Sequence, residues 1–292
     1  MCDDRDLDTM LENLSRSELS RRRFAAWSMG AGLAFALPRA ANAMDVVEQD
    51  VDIKTPDGVA DSYFVHPAKG KHPGVLVWTD IMGLRPAFRQ MGKRLAEQGY
   101  SVLVPNPFYR KQRAPILPPG GKGMEDPATR QILMGMGGSL NPQTNVTDAR
   151  TFVPWLDAQA SVDTKKKIGT TGYCMGGPIV LRTAAEYPNR IGAGATFHGA
   201  ALASDKPDSP HLLVPKMKGQ FLIAIAESDD MMDPAAKTKL RQAFDAAKLK
   251  AEIEVYTGTK HGWCPPDSMV YDEKQAEHAW DRLLALFKTA LV

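Results

Sequence analysis

The chain has 292 residues, 43% hydrophobic and 24% charged, an ordinary globular composition with room for one large domain or two small ones. A formal net charge of +2, with no basic stripe, argues against nucleic acid as a partner. The cysteines, Cys2, Cys174 and Cys264, are too few for a disulfide framework and wrongly spaced for zinc.

Residues 1–43 read differently from the rest. A charged opening leads to Ser20-Arg21-Arg22-Arg23-Phe24, then to the apolar stretch AAWSMGAGLAFAL, then to Pro38 and the small-x-small ending Ala41-Asn42-Ala43. The apolar stretch is short for a bilayer span, and Gly30, Gly32 and Pro38 make it a poor helix of the mature domain. The pattern predicts an export signal resembling the twin-arginine type, cleaved after Ala43. The export machinery would then be a partner, the product periplasmic or secreted, and no stable membrane insertion would remain. Cys2 would leave with the signal, and the mature chain would occupy an oxidising compartment.

From residue 44 onward the pattern fits a single domain. VVEQDVDIKT and GVADSYFVHP flank the turn Pro56-Asp57-Gly58 and predict an antiparallel hairpin. The run GVLVW (74–78) is followed by a helix with Phe88, Met91 and Leu95 on one face and Gly99 as its stop. After the strand SVLVPN (101–106), residues 107–145 are rich in proline, glycine and methionine, with one short helix near 128–136. Long irregular insertions of this kind are often lids or binding loops. A helix is expected from about 147 to 159, then the strand IGTTGY, a tight turn and the helical stretch PIVLRTAAEYP. The strands AGATF and FLIAIAES follow, then a helix over about 233–247 and the strand AEIEVYTG. A last helix from about 272 carries Trp280, Leu283, Leu284, Phe287 and Leu291 on one stripe.

Short apolar strands alternating with helices predict an α/β fold: a mostly parallel sheet covered by helices on both faces, with an N-terminal antiparallel hairpin. Sites in such sheets gather at the carboxyl ends of the strands. Asp80, Cys174, His198, Asp229 and His261 each stand just past a strand end.

Gly172-Tyr173-Cys174-Met175-Gly176-Gly177 is a glycine–x–nucleophile–x–glycine turn between strand and helix. Glycines allow the close backbone approach such a turn demands, and the following helix points its unpaired N–H groups at the site. With this elbow, His261-Gly262-Trp263 after the last strand and Asp80-Ile81-Met82-Gly83 after the first parallel one, the chain resembles the dienelactone hydrolase (carboxymethylenebutenolidase) family from about residue 50 to its end. That family is a branch of the α/β-hydrolases with a Cys-His-Asp triad.

The resemblance implies Cys174 as nucleophile, His261 as base and Asp229 as the acid, with Asp230 as second choice. It further implies an oxyanion site at the Met175 and Ile81 amides, Asp80 as a tuning residue and Arg110 as a clamp for a substrate carboxylate. Tyr173, His198 and Trp263 are candidate pocket residues. No cofactor or metal is implied, and the partner is a small ester or lactone. The family's second carboxylate-binding arginine has no counterpart in Trp263-Cys264-Pro265-Pro266, which favours esters or lactones other than dienelactone. Two other readings compete. One is a periplasmic thiol redox protein pairing Cys174 with Cys264, which the lack of a C-x-x-C motif disfavours. The other is a non-catalytic binding protein on a hydrolase scaffold.

Overall fold

The computed structural model describes Leu37, residues 43–118 and residues 123–292. The expected export signal, Leu37 and Ala43 apart, lies outside the described residues. Leu37 is half-buried and lines a small pocket with Met91, Arg94 and Trp280.

Strands β1 (Val46–Thr55) and β2 (Gly58–Pro67) pair antiparallel from Val46↔Pro67 to Thr55↔Gly58, around the expected turn. The remaining strands are β3 (Gly74–Trp78), β4 (Ser101–Pro105), β5 (Ile168–Tyr173), β6 (Ile191–Phe197), β7 (Gln220–Ala226) and β8 (Ala251–Tyr256). They join the hairpin in one eight-stranded sheet of order β1-β2-β4-β3-β5-β6-β7-β8. β2 runs antiparallel to both neighbours, and β3 to β8 are parallel.

Alternation along β3 sets the two cores. Val75 and Val77 face one side, where α1 (Pro86–Glu97) contributes Phe88 and Leu95. Leu76 and Trp78 face the other. There they meet Phe152 of α3 (Pro142–Asp157) and Val180 of α4 (Gly176–Glu186). The last helix, α7 (Glu273–Ala290), lays Trp280, Leu283 and Phe287 on the α1 side, as its stripe predicts.

Two expectations change. The helix expected from about 147 begins at Pro142, because the Asn141 side chain accepts from Thr144 N–H and Thr144 Oγ1 accepts from Asn141 N–H. Pro142 fills the first helical position, where a missing N–H costs nothing. The loop expected between β7 and residue 233 contains a six-residue helix, α5 (Glu227–Met232). Asp233 ends α5 and caps the helix after it, α6 (Pro234–Ala246).

The insertion at 107–145 contains α2 (Pro127–Gly137), capped by Asp126 through Thr129 N–H at 3.0 Å. Its contacts define where it lies. A β-carbon on Gly137 would stand 3.4 Å from Ile81 Cδ1, and one on Gly83 (φ +72°) would stand 3.2 Å from Phe108 and 3.5 Å from Ile116. The insertion therefore packs on the Asp80–Gly83 turn at the carboxyl end of β3.

Candidate active site

Cys174 follows β5 directly, in left-handed backbone (φ 50°), and is 4% exposed. Such a φ is rare outside glycine and persists only where the surroundings enforce it. Here Cys174 N–H donates to the Phe197 carbonyl at 3.1 Å, and the Cys174 carbonyl accepts from Gly177 N–H (3.0 Å) and Ala200 N–H (3.1 Å). Space is equally tight. A β-carbon on Gly172 would lie 2.4 Å from the Gly176 carbonyl oxygen, and one on Gly176 would lie 2.5 Å from the Trp78 carbonyl oxygen. The elbow's glycines are required by backbone approach.

His261 lies on the loop after β8, and α5 is stitched to that loop. Ser228 Oγ accepts from His261 N–H at 2.9 Å, and the Thr259 carbonyl accepts from Ser228 N–H at 3.2 Å. One residue on, Asp229 Oδ2 meets His261 Nδ1 at 2.9 Å. Asp230 turns away to Lys237 Nζ at 2.6 Å. Among the described residues, buried His261 Nε2 has no aligned hydrogen-bond partner, and the Cys174 sulfur beside the ring favours its charged form. Burial opposes charge on this imidazole. The carboxylate of Asp229 and the sulfur of Cys174 outweigh it and hold His261 well above the usual histidine range.

His198 sits directly behind. It follows β6 in left-handed backbone (φ 40°), is 1% exposed, and packs edge-on to the His261 ring at 5.0 Å and to Trp263 at 5.1 Å. Among the described residues, neither of its ring nitrogens has an aligned hydrogen-bond partner. Burial, with His261 beside it, pushes its pKa well below the usual histidine range. Trp263 is fully buried and stacks on Tyr256, while Tyr173 stacks on Phe197 under the elbow. Both rings support the site from within the core. Cys174 and Cys264 are free, and burial raises the Cys264 thiol well above its ordinary range.

The amides of Ile81 and Met175 make no hydrogen bond to an internal acceptor among the described residues. Asp80, beside Ile81, is engaged on both oxygens by Arg85, at 2.6 and 2.9 Å. Arg85 also grips Asp267. Neither Arg85 nor Asp267 was singled out in the sequence. Arg110 lies toward the hairpin edge, where it holds buried Asp148 (2.6 Å) and Asp57 (2.7 Å) and covers the Tyr109 ring. The structure thus brings Cys174, His261, Asp229 and His198 together and engages Arg110 with carboxylates of the chain itself.

The chain is similar to known proteins along most of its length. The model of the dienelactone hydrolase family matches residues 60–291. A protein of Methylorubrum extorquens, provisionally named a carboxymethylenebutenolidase, is 26% identical over 293 residues, spanning 96% of this chain and 97% of its own. The carboxymethylenebutenolidase of Rhodococcus opacus is 26% identical over 76% of this chain and 83% of its own. Among solved structures, a Klebsiella pneumoniae protein provisionally described as a dienelactone hydrolase superposes with a TM-score of 0.72 at 23% identity. It covers 84% of this chain and 99% of its own.

Proposed function

The chain belongs to the dienelactone hydrolase family, and from that premise we propose that it is a cysteine-dependent hydrolase of small carboxylic esters or lactones. One observation carries the reading: Asp229 fixes one face of a buried His261 whose other nitrogen is left to the Cys174 sulfur at a left-handed elbow.

Cys174 attacks the substrate carbonyl carbon while His261 holds the thiol's proton, and Asp229 keeps the imidazole oriented. The tetrahedral oxyanion takes hydrogen bonds from the Ile81 and Met175 amides, each such donor being worth about 3–4 kcal/mol. His261 then protonates the departing alkoxide, or the alkoxide of the opened lactone ring, leaving an acyl-thioester. Water, relieved of a proton by His261, releases the acid and restores the thiol. Arg110 has no part in this scheme, since its donors already serve Asp57 and Asp148. Residues 1–43 act as an export signal, a reading supported by their arginine, apolar and small-residue order. Amino-terminal sequencing of the exported product should begin at Met44.

The test is turnover of p-nitrophenyl acetate and of a dienelactone by residues 44–292, beside the Cys174→Ala protein. Loss of turnover in the variant is expected. An active Cys174→Ala protein would overturn the thiol mechanism.

A further inference from the structure

Arg85 is 9% exposed, and every N–H of its guanidinium is in use. Nε and one terminal nitrogen hold Asp267 at 2.6 and 3.0 Å. The terminal nitrogens hold Asp80 at 2.6 and 2.9 Å, and one of them reaches the Gly83 carbonyl at 3.3 Å. Two carboxylates are thereby bridged by one planar fork, although 182 positions separate Arg85 from Asp267.

Both ends of this bridge lead to the chemistry. Asp80 Oδ1 accepts from Met82 N–H at 2.9 Å and the Asp80 carbonyl accepts from Gly83 N–H at 3.0 Å, so the carboxylate that Arg85 grips also closes the turn presenting the Ile81 amide. Asp267 lies on the loop between His261 and α7, and that loop is closed by Asp272 N–H donating to the Trp263 carbonyl at 3.1 Å. We propose that Arg85 is a positioning residue that couples the Ile81 oxyanion amide to the His261 loop, holding donor and base at the separation the tetrahedral intermediate requires. This rests on the hydrolase reading above. It also gives Asp80 a role through the backbone of its own turn.

Lysine keeps the charge but presents a point ammonium on a flexible stem, so it cannot hold two carboxylates in one plane. The oxyanion forms after substrate binds, so disturbing its donor acts on kcat and leaves KM and the bare thiol alone. The experiment compares wild type, Arg85→Lys and Asp267→Asn on p-nitrophenyl acetate, with iodoacetamide alkylation of Cys174 as a second readout. Arg190→Lys, which disturbs the pair with Asp157 at the amino end of β6, is the control for a lost ion pair. For both site variants kcat should fall at least roughly tenfold, with KM and the alkylation rate within about twofold of wild type. The control should keep its kcat. An unchanged kcat in folded site variants, or a change confined to KM, overturns the proposal. A wild type that turns over no ester defeats the hydrolase reading first and this proposal with it.

Discussion

Cys174 and His198 end neighbouring strands in the same left-handed backbone, φ 50° and 40°, and are tied together through the Phe197 carbonyl, which accepts from Cys174 N–H at 3.1 Å. A β-carbon on Gly177 would lie 2.7 Å from Gly199 Cα, so the two turns touch main chain to main chain. Cys174 and the ring behind His261 therefore share one scaffold. Conformations that an L-residue disfavours are held there by mutual hydrogen bonding and packing.

His198 should leave a mark on stability against pH. Its folded pKa is depressed by burial and by His261, so the stability it contributes is full above about 6.5, the unfolded value, and is lost as pH falls toward the folded value. His261 acts with the opposite sign. Its folded pKa is raised, so its contribution is full below about 6.5 and is lost as pH rises through the folded value. His198→Phe keeps an aromatic ring and removes the titration. Thermal melts between pH 5 and 7.5 should show a weaker loss of Tm on acidification than in wild type; an unchanged slope would refute the assignment.

Asp229 and Asp230 should separate cleanly in kinetics. Asp229→Asn leaves the imidazole in the wrong tautomer and should lower kcat by roughly a thousandfold or more. Among the described residues Asp230 pairs with Lys237, and its Oδ1 is buried without a partner. Asp230→Asn should leave kcat within about threefold. Steady-state kinetics of the two variants decides the acid, and the reverse ranking would transfer the role to Asp230.

Gly176→Ala tests the elbow's spacing. The added methyl would stand 2.5 Å from the Trp78 and 2.7 Å from the Thr79 carbonyl oxygens, both main chain and unable to step aside. A loss of about 1–3 kcal/mol is expected in denaturant melts, with turnover reduced beyond what the unfolded fraction explains. Normal activity at normal stability would mean that the elbow is more pliant than its contacts imply.

Arg110→Met should act on folding. Asp148 is 1% exposed, and removing its cation leaves a buried carboxylate whose remaining partner among the described residues is Tyr109. Breaking a buried pair in this way costs about 3–5 kcal/mol. The protein that remains folded should hydrolyse a neutral ester at the wild-type kcat/KM. A selective rise in KM for carboxylate-bearing esters would instead restore Arg110 as a substrate clamp.

How much of this was readable depends on the range of each constraint. The elbow was legible because its glycines answer to contacts within the turn and with the neighbouring strand end, which leave no choice of residue. The fold followed from strands such as β3 and β4, fully buried along their length and apolar but for Ser101. Counting along the sequence leaves Asp229 and Asp230 as alternatives because α5 replaces an expected loop; Ser228 docking against the His261 loop is what faces Asp229 toward His261. The helix expected from about 147 starts at Pro142 because its cap is a reciprocal pair, Asn141 with Thr144, that lies ahead of the apolar stripe. Arg85 and Asp267 carry no local signal at all, since their chemistry lies in a pairing that only the folded chain creates.

The matched charges have a kinetic consequence. Arg85 and Arg110 each stand between two carboxylates of the chain itself, so neither offers a spare cation to an incoming anion. Capture of a neutral ester should then proceed by plain collision, at a rate indifferent to ionic strength.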